Sequence, residues 1–107
     1  MTPALYVVSL EVAPEVESAW LAWMRELHIP ELLREPGFQR CRLWKDSARA
    51  QDGWARYVAQ YELTSPEAVE RYLNGETVKR LRADGVARFG STMRATRATL
   101  TEVASFG

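Results

Sequence analysis

The hydrophobic period of this chain switches from two residues to 3.6 and back, twice, and that alternation constrains the fold more than any single motif. Along Ala4–Val12 the side chains alternate, with Tyr6, Val8, Leu10 and Val12 on one face and Leu5, Val7, Ser9 and Glu11 on the other. This is a strand with enough apolar content on both faces to predict burial on both. Pro14 and Glu15 then suit a helix start, a proline near the first helical position followed by a carboxylate at the positive dipole end. With Val16 at 0° and about 100° per residue, Trp20, Trp23, Met24 and Leu27 fall within an arc of roughly 100° centred near 30°. His28, the chain's one histidine, falls at about 120°, on the shoulder of that stripe where a helix meets the surface it packs on. Pro30 lacks an N–H and disfavours helical backbone at Ile29, so a break or kink is expected there before one more turn through Leu33.

Pro36-Gly37 signals a turn. Phe38–Lys45 and residues 54–63 read as two strands joined by a polar loop at 46–53 that ends in Asp52-Gly53. Ser65-Pro66-Glu67 is a cap followed by two first-turn residues, which opens a second helix. Asn74-Gly75 interrupts that helix, which is expected to resume at Glu76 and stop at Asp84-Gly85. Residues 86–89 then read as a linker, Gly90 as a turn and 91–103 as a Thr-rich last strand. The order is βαββαβ, a ferredoxin-like α+β sandwich in one domain spanning 1–107, since 107 residues hold a single core.

In such a sandwich the helices cover one sheet face. Cys41, Leu43, Tyr57, Ala59, Tyr61 and Leu63 share the hairpin parity suited to them. Phe38, Arg40, Arg42, Trp44, Trp54, Arg56, Val58, Gln60 and Glu62 share the other. That second face holds too much apolar surface to leave in water, and its polar residues can pair across an interface. The expectation is a symmetric homodimer in which two such faces close a dimeric α+β barrel.

Composition removes several functions. Fourteen basic and fourteen acidic residues cancel, where a binder of nucleic acid or anionic membrane would show a basic surplus. RNA-recognition domains share the βαββαβ order, but Trp54 to Tyr61 departs from their basic-Gly-aromatic pattern. Apart from Lys45 and Lys79 the cations are arginines, which supply planar, stackable charges beside the aromatics. No apolar run approaches the roughly 20 residues a bilayer requires. Met1-Thr2-Pro3 leads into the first strand without a basic leader segment. With its lone cysteine, Cys41, the chain reads as cytoplasmic.

The run Trp20-x-x-Trp23-Met24-x-x-x-His28-Ile29-Pro30-Glu31-x-Leu33, with Tyr57-x-x-Gln60-Tyr61 and Arg88-Phe89-Gly90, resembles a bacterial domain-of-unknown-function family of roughly 100 residues. That family is similar to the dimeric α+β barrel superfamily. The resemblance covers nearly the whole chain and implies the fold and the dimer. The superfamily holds cofactor-independent monooxygenases, haem-degrading enzymes, small-molecule isomerases and stress proteins. The resemblance places any active site in the cleft between sheet and helices, with a histidine from the first helix region.

His28 is the candidate catalytic residue, an acid, base or polar anchor titrating near neutrality. Its alternative is structural, a helix-shoulder histidine bonded to a backbone carbonyl or to Glu31. Tyr57 and Tyr61 share the helix-facing parity and would grip a small organic ligand through their hydroxyls. Trp20 and Met24 would form an apolar wall, and Arg88 could hold a ligand carboxylate. One histidine and one cysteine make no metal-ligand cluster; haem on a single axial histidine is the one cofactor left open. Cys41 reads as a buried thiol, because the flanking Arg40 and Arg42 point to the other face. The sequence supports two functions. One is a small-molecule binder, with a cofactor-independent enzyme acting on an apolar or aromatic compound as its catalytic form. The other is a non-catalytic dimerisation or stress-associated module. A cavity of roughly 300 Å³ touching His28 favours the first, and a filled cleft favours the second.

Overall fold

A computed structural model describes residues 2–107; Met1, the start of the segment considered for a leader, lies outside them. Four antiparallel strands, β1 (Ala4–Val12), β2 (Phe38–Lys45), β3 (Ala55–Leu63) and β4 (Met93–Thr101), form one sheet in the order β2-β3-β1-β4. This is the ferredoxin-like α+β fold. β1 is central, pairing Tyr6 with Tyr61 of β3 and with Thr99 of β4. Its alternation places Ala4, Tyr6, Leu10 and Val12 in the core, so strand parity decides which side chains face the helices.

The helices cover one face: α1 (Glu17–Trp23), α2 (Ile29–Leu32), α3 (Pro66–Leu73) and α4 (Glu76–Phe89). Trp20, Leu32, Val69 and Leu81 are fully buried against Tyr57, Tyr61 and Leu63. α3 is capped as its sequence predicts, Ala68 N donating to Ser65 Oγ at 3.2 Å, with Pro66 in the first turn. Gly37 (φ 88°) supplies the turn into β2. A Cβ there would come within 2.5 Å of Ala68 Cβ, so the position excludes side chains twice over. Among the described residues no helix is long and apolar enough to cross a membrane.

Three expectations are corrected. First, α4 does not stop at Asp84-Gly85. It runs to Phe89 with no linker at 86–89, and Gly90 (φ 51°) ends it. Gly85 is buried inside the helix facing Trp23 and Met93, and the helix runs through it despite its poor helix propensity. β4 is accordingly shorter than residues 91–103. Second, Phe38 does not lie on the helix-free face. β2 carries a bulge between Phe38 and Arg40, and one extra residue reverses the parity before it. Phe38 therefore packs edge-on against Tyr61 and Tyr72, at ring-centroid distances of 5.8 and 5.1 Å.

Third, since Ile29 keeps helical backbone (φ −61°, ψ −46°), the helix does not break at Pro30. Its backbone widens one turn earlier, over Met24–His28, where Ile29 N donates to Met24 O five residues back. Such a turn takes one extra residue and rotates the downstream side chains by about 100°, one residue's step. The apolar stripe shifts accordingly. Leu27, expected at its centre, is 49% exposed, and His28 swings from the shoulder to stack on Trp23, with ring centroids 4.5 Å apart.

Candidate functional site

The rotation that turns His28 inward opens it onto a cavity of about 290 Å³ between sheet and helices. Tyr6, Val8 and Leu10 of β1 and Tyr61 of β3 line its floor, continued by Met93, Ala95 and Arg97 of β4. Trp23, Met24, His28 and Leu32 close one side, and Leu81, Arg82, Gly85 and Val86 of α4 the other. The missing side chain of Gly85 leaves part of this space open: a Cβ there would sit 3.5 Å from Met93 Cε and 3.6 Å from Trp23 Cη2.

His28 Nδ1 is buried and has no hydrogen-bond partner among the described residues. Burial pushes the imidazole down to about 4 and the Arg97 charge adds to this, while Glu31 and Asp84 oppose it. The ring is therefore neutral at pH 7 and available as a hydrogen-bond partner. Neither acid is free to neutralise the cavity. Arg80 Nη2 holds Glu31 at 2.9 Å, and Arg88 Nε sits 3.1 Å from each Asp84 oxygen.

Three tyrosines meet at the far end. Tyr6 lies 6.0 Å from Tyr61 and 5.7 Å from Tyr72, centroid to centroid. Burial pushes the Tyr61 and Tyr72 phenols up, and at Tyr72 the charges of Arg82 and Arg97 oppose that rise. Arg82 Nη2 donates to Tyr6 Oη at 3.3 Å. Arg82 and Arg97 are both exposed while lining the cavity, so they mark its mouth.

Of the expected site residues, the structure brings Met24, His28 and Tyr61 together on the cavity. Trp20, Tyr57 and Arg88 are not on it. Trp20 is fully buried, donating from Nε1 to Met93 Sδ at 3.1 Å and packing 4.8 Å from Tyr57. Tyr57 donates to Glu17 Oε2 at 2.6 Å, which Lys45 Nζ also reaches at 2.9 Å. Those two hydrogen bonds hold the Glu17 carboxyl below its usual range. Arg88 is committed to Asp84 and lies over the Trp23 ring at 5.9 Å. Burial pushes the Cys41 thiol up to about 11, so it is no nucleophile at neutral pH.

Tyr72, Arg82 and Arg97 were not singled out from the sequence. Arg97 carried the better signal, since it shares strand parity with Met93 and Ala95. Arg82 reads locally as the solvated flank of a helix. Among the described residues no group of three His, Cys, Asp or Glu side chains is placed to hold a metal.

Fold and site together define a ferredoxin-like α+β protein with a cavity between its sheet and its helices. More particularly, the chain belongs to the family described as Domain of unknown function (DUF4286), whose model matches residues 3–103. A search of curated proteins found no match. Among solved structures, a dimeric ferredoxin-like protein from an uncultured marine organism superposes with a TM-score of 0.70 at 11% identity, covering 99% of this chain and 100% of that one. A protein from Nitrosomonas europaea provisionally named an antibiotic biosynthesis monooxygenase gives 0.68 at 16% identity, covering 98% and 94%. SnoaB, a cofactor-independent oxygenase from Streptomyces nogalater, gives 0.66 at 19% identity, covering 96% and 95%. At these identities the likeness is one of fold.

Proposed function

We propose that this protein binds a small apolar or aromatic molecule between its sheet and helices, with His28 as the polar group that engages it. The observation that carries this reading is a cavity of about 290 Å³ lined by His28, whose buried Nδ1 has no partner among the described residues. A structural histidine would spend that nitrogen on a carbonyl or carboxylate. A ligand donor would satisfy it, and Tyr61 and Met24 would line the same ligand. Where the ligand reacts, the neutral imidazole is the group able to accept a proton. SnoaB, of the same fold, is a cofactor-independent oxygenase, which supports chemistry that needs no resident cofactor. A porphyrin is larger than this cavity, so the ligand on this reading is smaller than haem. The unpaired thiol of Cys41 suits a cytoplasmic setting.

The same reading includes a homodimer closed through the helix-free face. Trp44 and Leu100 are 50% and 49% exposed on it, next to half-buried Leu5, Val7 and Val58. The marine neighbour of the same fold is dimeric. Native mass spectrometry of the freshly purified protein tests both parts. A dimer mass with a reproducible addition of a few hundred daltons is expected, and His28→Ala should lose the addition while remaining dimeric. Equal retention in His28→Ala would remove the histidine from the site. Trp44→Glu combined with Val58→Glu should halve the mass seen by light scattering, and an intact dimer would rule out this face as the interface.

A further inference from the structure

We propose that the ligand carries a carboxylate, held at the cavity mouth by the guanidiniums of Arg82 and Arg97. The inference rests on the small-molecule reading above and adds its chemical class. Two arginines line the cavity and no Asp or Glu does. The chain as a whole is neutral, so this surplus comes from placement and not from composition. The acids that act on His28 are engaged elsewhere, Glu31 by Arg80 and Asp84 by Arg88, while Glu35, which acts on Tyr72, is not part of the lining. Neither Arg82 nor Arg97 has a carboxylate within 4.0 Å among the described residues, and the one side-chain hydrogen bond between them is from Arg82 to Tyr6.

The two come from different elements, α4 and β4, and both line the cavity beside Tyr6, which Arg82 bonds, and Tyr72, whose phenol feels both charges. Guanidinium forks match a planar carboxylate in a bidentate manner. The apolar walls of Trp23, Met24 and Leu81 fit the rest of an aromatic acid. A phosphate fits less well. It is best held by backbone N–H groups at a helix N-terminus, and α4 lends the cavity residues from its middle turns, Leu81 to Val86, beyond its first turn.

The test is calorimetric titration with two probes of equal shape, naphthalene-2-carboxylate and its neutral carboxamide. Wild type should bind the acid about tenfold or more tightly than the amide, the worth of a charge-assisted contact. Arg97→Gln should cut that preference by about half or more on a logarithmic scale, Arg82 holding the remainder, while Arg97→Lys should keep more of it. Arg82→Gln should act likewise, with circular dichroism reporting whether loss of the Tyr6 contact disturbs the fold. Arg97 has no side-chain partner to lose among the described residues, so its variant stands on its own if Arg82→Gln misfolds. Equal affinities for acid and amide, or a preference left unchanged by Arg97→Gln, would overturn the carboxylate inference and leave the cavity reading intact. Binding of neither probe would overturn both.

Discussion

On the helix-free face of the sheet, Arg94 sits 3.0 Å from Glu11 and 2.8 Å from Asp52, and its guanidinium lies 4.0 Å over Trp54. Arg40 meets Glu62 at 3.0 Å, and Arg56 approaches Glu11 and Asp46. That face has a concavity of about 260 Å³, and among these charges Glu11, Asp46, Arg56 and Arg94 line it. On the covered face, Arg82 and Arg97 border a similar volume that has no Asp or Glu in its lining. One sheet thus handles the same residue type in two ways. Pairing of Arg40, Arg56 and Arg94 within the face leaves Arg42 as its one arginine without a carboxylate within 4.0 Å among the described residues, and suits the outer side to a self-complementary contact. Leaving the cations unpaired keeps the inner side ready for an external anion. Two concavities of like size therefore differ in what they can bind because of where the carboxylates fall.

The energetic side of this contrast is open to direct measurement. Trp20→Ala removes a fully buried ring, its bond to Met93 and its packing on Tyr57. It should lower unfolding free energy by about 3–5 kcal/mol. Trp44→Ala on the other face should cost under about 1 kcal/mol at protein concentrations low enough for the monomer. Urea titrations of the two variants compare them, and equal losses would mean that the helix-free face is not open in the monomer.

A smaller effect is expected from His28. Its folded pKa of about 4 lies below the ordinary 6.5. Above pH 6.5 the ring is neutral folded or unfolded and contributes no slope. Between 6.5 and 4 the unfolded chain takes up the proton first, so stability falls as pH falls, by up to about 3 kcal/mol. His28→Gln should remove that part of the acid loss. Parallel wild-type and variant stability curves over this window would show that the histidine is not buried as described.

The smallest effect is a gain. Gly85→Ala places a methyl in ordinary contact with Met93 and Trp23 and improves an interior helix position by about 0.5–1 kcal/mol. The same methyl narrows the cavity, so thermal stability should rise while binding of the naphthalene probes weakens. A variant that binds them as well as wild type would place the ligand elsewhere.

Most of the fold was legible because its signals are local. The period-2 alternation of β1, the Ser65 cap, the Asn74-Gly75 break and the parity of Tyr61 each depend on a few neighbouring residues. His28 was nominated on the same grounds. Its place at the rim of a cleft followed from the helix shoulder, whereas its inward stacking on Trp23 did not, because the ideal wheel put Leu27 inward. Pro30 announced a disturbance, and packing decided that it would be absorbed as a widened turn at Met24–His28.

The amino-acid sequence by itself determined the βαββαβ order, the helix-facing set of side chains and the neutral overall charge. Each comes from periodicity, turn chemistry or counting. Only the tertiary structure decided that Phe38 turns inward through a bulge, that α4 continues past Gly85 to Phe89, and that Arg82 and Arg97 line one cavity. Those outcomes depend on contacts between segments far apart in the chain. Strand register, helix approach and the meeting of two charges are set by the partner surface, which no local pattern encodes.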